Sequence, residues 1–369
     1  MTATVDKTIP IPRYHQLKGI IRRDIKRKKL QTGSKIGSLV KLAATYQVSK
    51  TTAAKAITEL VDEGVLYSEI GNGTYVADPA GRKTHTICFV VHSADYITEP
   101  YFSQIIAGIG AVTEQNHYKL QFLTSERAVG AMERGRLYPR FKEPLWADGL
   151  IIMDYSLTDE QVVRLTEEFP VVLIDRKVPA ADVACVRPDA RGGTYQAISY
   201  LASLGHKRIG IMVLSEKWQA DKEKLLGYQS AVRDLALDAE QRLIVNRGFG
   251  EASSKAALDA LIDLPAPPTA IFVSDDMPAF KIVHRLREKG LRVPEDIAVM
   301  GFGGCLNNVL DTQLLTTMRL PMVKMGQAAA KMVLAMINKE QVTSKDTIFA
   351  TRLAVGQSCG KKREFDSGL

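Results

Sequence analysis

From Thr86 onward, short apolar runs alternate with longer amphipathic stretches, and this alternation limits the possible folds more than any other feature of the chain. The runs 86–91 (TICFVV), 149–153 (GLIIM), 171–174 (VVLI), 209–213 (IGIMV) and 270–273 (AIFV) are almost wholly apolar and rich in β-branched residues. Strands buried on both faces have that composition. Two further strands are predicted at 119–123 and 297–300. Helical spacing between them predicts helices at 102–116, 159–168, 194–204, 222–235, 253–262 and 278–289. Strand–helix alternation implies parallel sheets with helices on both faces. Roughly 270 residues of it exceed one compact sheet, so the expected fold is α/β with two lobes, each a doubly wound parallel sheet. Two such lobes leave a cleft at the carboxyl ends of the strands.

The first quarter of the chain is different. Residues 1–83 hold 15 Lys and Arg against 7 Asp and Glu, whereas the remainder is balanced at 34 of each. The whole net charge of +8 therefore sits in this segment. A polyanion-binding module attached to a neutral body explains the segregation; a solvated basic surface is the plainer alternative. Pro10 and Pro12 precede a helical run of Tyr14, Leu17, Ile21 and Ile25, with Lys18, Arg22, Lys26 and Lys29 on the opposite face. Arg22, Arg23 and the basic run 26–29 are read as a solvated or phosphate-facing edge. Ser38 can cap a short second helix whose Leu39, Leu42 and Ala43 face inward, and Ser49 a third that ends at Gly64. A hairpin follows, turning at Gly71, Asn72 and Gly73. Helix, short helix, turn, helix and hairpin is the order of a winged helix-turn-helix.

Five strings carry a resemblance to the GntR family: IPRYHQL (11–17), LQTGSKI (30–36), VSKTTA (48–53), ITEL (57–60) with Gly64, Val65 and Leu66, and GNGTYV (71–76). The resemblance implies a winged-helix head over residues 1–77 that binds duplex DNA. Its implied contacts come from Ser38, Lys41, Ser49, Lys50, Thr51, Thr52 and Lys55, and from the wing at Gly71, Asn72, Gly73 and Thr74. Val40 and Ala54 stand where the family carries basic residues, with Lys41 and Lys55 one step along as substitutes.

A second resemblance covers the rest of the chain. The strings DGLII (148–152), PVVLIDR (170–176), LGHKRIGI (204–211), PTAIFVSDD (268–276), LRVPEDIAVMGF (291–302) and LLTTMR (314–319), with the helix at 322–337, are similar to LacI/GalR-type sensor domains, which are periplasmic-binding-protein-like. After a linker at 78–85, the resemblance implies a sensor at 86–358. Lobe 1 would hold about 86–187 and 313–344, lobe 2 about 189–311 and 346–358, with chain crossings near 187–189, 310–312 and 343–347. Residues 359–369 would be a tail.

The implied ligand is a small-molecule effector, a carbohydrate or a derivative, bound between the lobes of a homodimer. By position, Lys224 replaces an effector-binding Arg, Phe249 a stacking aromatic, and Asp275 an Asn. Gly303 and Gly304 stand where the family carries two Asp, which implies a reshaped pocket. Asp95, Tyr101, Phe102, Asp154 and Arg176, with Tyr155 and Trp218, are further candidates at strand ends. Asp276 is read as the cap of the helix that follows it.

Other classes fit less well. The six histidines form no metal-ligand spacing, and GxSxG, Walker A and post-strand GxGxxG motifs are missing, so neither an enzyme nor a cofactor is expected. The four cysteines lie far apart, and no apolar run spans a membrane, so a cytoplasmic protein is expected. A solute-binding protein for transport is the remaining rival, disfavoured by the basic head and the lack of an export signal. A non-sugar ligand, or a vestigial pocket, stays open within the favoured class.

Overall fold

A computed structural model describes residues 5, 11–28, 30–31, 33–69, 73–77, 84–124, 147–178, 181–216, 218–305 and 314–360. One compact unit runs up to Thr86, and a second begins at Ile87.

The first unit contains α1 (Arg13–Arg27), β1 (Lys35–Gly37), α2 (Leu39–Thr45), α3 (Lys50–Asp62), β2 (Leu66–Glu69) and β3 (Gly73–Val76). Leu17, Ile20 and Ile21 of α1 meet Ala53, Ala56, Ile57 and Leu60 of α3, with Leu42 and Leu66 filling in. This is the apolar stripe that helical spacing demands. Gly64 adopts φ +72°, and the amides of Gly64 and Val65 reach back to the carbonyls of Val61 and Leu60, which stops α3. The predicted hairpin forms, and β1 adds an unexpected third strand beside β3. The hairpin turn predicted at Gly71 and Asn72 lies outside the described residues.

Two expectations about this unit fail. Arg22 is not on a solvated edge: it and Lys18, on the same face, are both buried against α3. Lys18 Nζ donates to Glu59 at 2.6 Å and to Glu63 at 2.5 Å, and Arg22 donates to Glu63 at 2.6 Å. Burial alone would lower the Lys18 pKa, but the two carboxylates outweigh it and raise the value. Leu39 does not face inward; it is exposed on the first turn of α2.

The second unit has two six-stranded sheets. Lobe 1 contains β4 (Thr86–Val91), α4 (Pro100–Gln115), β5 (Lys119–Thr124), β6 (Gly149–Met153), α5 (Asp159–Thr166), β7 (Val171–Ile174) and β8 (Ala184–Pro188). The chain then enters lobe 2 through α6 (Ala190–Ser203), β9 (Ile209–Val213), α7 (Gln219–Asp234), β10 (Ile244–Asn246), α8 (Glu251–Ile262), β11 (Ala270–Val273), α9 (Asp276–Glu288), β12 (Ala298–Gly303) and β13 (Thr316–Arg319). It returns to lobe 1 with α10 (Met322–Ile337) and β14 (Asp346–Phe349), and ends in lobe 2 with β15 (Arg352–Ala354). Strand order is β14-β8-β7-β6-β4-β5 in lobe 1 and β10-β9-β11-β12-β13-β15 in lobe 2. The pairs β14–β8–β7–β6–β4 and β10–β9–β11–β12–β13 are parallel, and β15 closes its edge antiparallel.

These topologies correct the lobe boundaries. β13 pairs with β12, so 316–319 belongs to lobe 2 and the crossing follows at Leu320 and Pro321. β14 pairs with β8, so 346–349 belongs to lobe 1 and the last crossing is at Ala350 and Thr351. The tail does not begin at 359 either: Cys359 is fully buried in the core, and Tyr200 donates to its carbonyl.

Two helix pairs pack through glycine. A Cβ on Gly326 of α10 would lie 2.1 Å from the Ile105 carbonyl oxygen of α4, and one on Gly108 would lie 2.1 Å from that of Val323. Gly227 of α7 similarly faces the Arg191 carbonyl of α6. Only a hydrogen at Cα permits these approaches.

Candidate functional site

In the first unit, the start of α3 presents Lys50, Thr51 and Lys55 as exposed residues, and Lys41 of α2 is also exposed. Ser49 Oγ accepts from the Thr52 amide at 3.0 Å and contacts Thr52 Oγ1 at 2.8 Å, and Ser38 Oγ accepts from the Lys41 amide at 3.3 Å. Both serines thus fix helix starts, which leaves the other first-turn amides of α3 free to face an anion. Lys55 Nζ rests 4.0 Å from the centroid of the Tyr14 ring, so its charge is held on α1 rather than free to swing. Gly73 has φ +128°. Thr74 is a correction: it is buried, with its hydroxyl near that of Ser68, and reaches no surface from which to contact DNA.

The second unit has a cleft of about 1130 Å³ between its lobes. Of the candidates named from the sequence, Tyr101, Phe102, Asp154, Lys224, Phe249 and Asp275 line it. Two candidates do not. Asp95 is exposed on a short 3₁₀ turn at the edge of the cleft, where the neighbouring Tyr96 lines the cleft and Asp95 does not. Arg176 is structural: its guanidinium donates to the carbonyls of Asp154 and Leu157 and to the Asp159 carboxylate, tying the strand-end loops of lobe 1 together.

The inner cleft is a network of charges at strand ends. On the lobe 1 side, Asp175 follows β7 and accepts from Tyr101 Oη at 3.1 Å and Tyr155 Oη at 2.6 Å. Burial pushes its carboxyl pKa up, against the opposing pull of Lys224 and the two hydroxyls. On the lobe 2 side, Lys224 Nζ donates to the Ser274 carbonyl at 3.1 Å and Asp221 at 3.4 Å, and lies 5.0 Å from the Phe302 ring centroid. Its pKa is raised although burial works against it, because Asp221, Asp275 and Asp175 surround it with negative charge. Asp275 accepts from Arg247 and from Ser274 Oγ. Burial opposes its ionisation, but Lys224 and Arg247 together hold its carboxyl below the usual range.

Asp276 does not cap α9. Its buried carboxylate accepts from Thr317 Oγ1 at 2.6 Å and the Cys305 amide at 2.9 Å, joining β12 and β13 to the helix. Gly303 and Gly304, at φ +140° and +76°, let the backbone wrap this carboxylate. A Cβ on Gly303 would approach Asp276 to 3.3 Å, and one on Gly304 would meet Arg319 at 2.7 Å. Their presence thus follows from tight packing, against Asp276 for Gly303 and against Arg319 for Gly304.

An aromatic wall spans the cleft. Tyr155 of lobe 1 stacks on Trp218 of lobe 2 at 4.8 Å and 10°, and Phe249 meets Trp218 edge-on at 5.2 Å. Phe249 is 61% exposed, so its face is open. Sequence reasoning missed Asp175 and Arg247. Asp175 had a usable signal, an acidic residue directly after the apolar run VVLI. Arg247 had none, since it follows a three-residue edge strand.

Residues 13–76 match the family model for bacterial regulatory proteins of the gntR family, and 198–359 match that for a periplasmic binding protein-like domain. The chain therefore joins a head similar to gntR-family regulators to a periplasmic-binding-protein-like domain. The chain is 28% identical over 367 residues to the arabinose metabolism transcriptional repressor of Geobacillus stearothermophilus, covering 94% of this chain and 98% of that one. It is 28% identical to the HTH-type transcriptional repressor CytR of Escherichia coli K12, over 76% of this chain and 82% of CytR. The fold is similar to the crystal structure of transcription regulator CcpA of Lactococcus lactis, with a TM-score of 0.67, 22% identity, and coverage of 76% of this chain and 100% of that one. These relatives are transcriptional regulators. No described helix is long and apolar enough to cross a membrane.

Proposed function

We propose that the chain is a transcriptional repressor that binds operator DNA as a homodimer and is controlled by a carbohydrate effector held between the lobes of its sensor. One observation carries the reading: a head with an exposed cationic helix start shares a chain with a cleft walled by carboxylates, tyrosine hydroxyls and an aromatic face. Hydroxyl-rich ligands with an apolar C–H face suit those groups. The near full-length similarity to a repressor of arabinose metabolism supports it. Lys50 and Thr51 are the proposed groove contacts of α3, with Lys41 and Lys55 on phosphates.

The test is fluorescence anisotropy of the full chain on fragments of its own upstream DNA across a salt series, with and without a sugar panel. Binding should fall steeply with salt. Lys50→Ala should cost about 1–3 kcal/mol if it reads a base edge. Lys55→Ala should weaken all fragments alike and reduce the salt slope by about one. Salt-independent binding, or wild-type affinity in both variants, would overturn the reading of the head. If no sugar shifts the anisotropy or the melting temperature, the cleft binds something else.

A further inference from the structure

Among the described residues that line the cleft, eight are Asp or Glu and five are Lys or Arg, so negative charge is in excess. Asp154 follows β6 and Asp175 follows β7, and these strands run parallel with Ile152 level with Leu173. The two carboxylates therefore leave the same edge of the lobe 1 sheet as neighbours. Asp175 accepts hydrogen bonds from the uncharged Tyr101 and Tyr155 hydroxyls, and the cation that acts on it, Lys224, is shared with Asp221 and Asp275. Asp154 is 2% exposed and lines the cleft. Its Oδ1 accepts from the Ser156 amide at 2.8 Å and the Ser156 hydroxyl at 2.7 Å, whereas Oδ2 has no partner among the described residues. The Arg176 guanidinium reaches the Asp154 carbonyl but pairs with the carboxylate of Asp159. Across the cleft, Lys224 and Arg247 donate to lobe 2 acids, Asp221 and Asp275 respectively.

An unpaired oxygen on a buried carboxylate destabilises the empty cleft, and a ligand that brings a donor removes that penalty. A charged donor does so most strongly. We propose that the effector is a cationic carbohydrate, a sugar bearing a protonated amine that sits against Asp154 and Asp175. The proposal rests on the carbohydrate reading above and adds the sign of the charge. A phosphorylated or carboxylated sugar would bring like charge to this wall. A neutral sugar would leave the excess uncancelled. The wall of Tyr155, Trp218 and Phe249 suits the ligand's C–H face, and its rings also favour a nearby ammonium.

The experiment is titration calorimetry of the full chain at neutral pH with four matched sets. These are glucosamine, galactosamine and mannosamine; their N-acetyl forms, which keep the ring and remove the charge; the parent hexoses and common pentoses; and the hexose 6-phosphates. One amino sugar should bind at least ten-fold more tightly than its N-acetyl and parent forms. In Asp154→Asn that preference should shrink toward unity, while Phe249→Ala should weaken the amino and parent sugars alike. In the wild type, raising the pH through the ligand's own amine pKa should weaken the amino sugar and spare the parent, a result independent of whether Asp154→Asn folds. Tighter binding of a neutral or phosphorylated sugar overturns the charge assignment and leaves the carbohydrate reading standing. If all four sets fail to bind, both fall. A preference that persists unchanged in Asp154→Asn also overturns the proposal.

Discussion

At Asp346 several donors converge on one carboxylate. Arg187 reaches it through Nε at 2.8 Å and Nη2 at 3.0 Å, Lys177 at 2.7 Å and the Cys185 thiol at 3.3 Å. The Arg187 hydrogen bonds, ahead of the opposing effect of burial, hold its pKa well below the usual carboxylate range. A carboxyl whose pKa falls on folding stabilises the native state above its unfolded pKa of about 3.9, and loses that contribution as pH drops further. Asp346→Asn should therefore lower stability at neutral pH by about 1 kcal/mol, since the site is partly exposed and screened. Urea unfolding should show the gap narrowing steadily below about pH 4; a gap that holds constant would mean the charge is not its source. Lys18 teaches a related lesson. Its charge reads as solvent-facing when α1 is considered alone. The complementary signal lay on another helix: Lys18 and Arg22 are four residues apart, and so are Glu59 and Glu63. Only their pairing turns two surface-like cations into an internal clamp.

Elements are held by contacts that periodicity does not display. The crossing of α4 and α10 brings Gly108 and Gly326 onto opposing carbonyls, closer than any side chain allows. Gly326→Ala should cost about 1–3 kcal/mol through overpacking. Gly110→Ala, in the same helix as Gly108 but with nothing within 4 Å, should instead stabilise by about 0.5–1 kcal/mol from helix propensity. Thermal unfolding of the two variants separates close packing from propensity; equal shifts would deny the packing account. Long buried strands such as β4, β6 and β9 were legible because apolar residues run through them without break. The short strands β10, β14 and β15 were not, since they lie at sheet edges, carry exposed or half-buried residues and show no pattern.

Over the whole sensor, the two lobes meet through Trp218 on Tyr155. A ligand that enters between them must part or reorder this stack. Effector binding should therefore change tryptophan emission, and Trp218→Phe should abolish the change while leaving the far-ultraviolet circular dichroism intact. An effector that binds with no change in emission would place its site away from the aromatic wall. The same ligand should raise the melting temperature, because it binds only the folded sensor.

The linear order of residues was enough to separate a basic head from a neutral sensor, to reveal the strand–helix alternation and to name several residues that line the cleft. Those properties follow from local periodicity, charge and the rule that loops at carboxyl ends of parallel strands form the site. Tertiary structure alone decided which lobe owns β13 and β14, that Arg176 braces loops, that Thr74 is buried, and that Asp154 has an oxygen unmatched among the described residues. Each of these depends on partners brought together from distant parts of the chain, and pairing across such separations leaves no trace in local pattern.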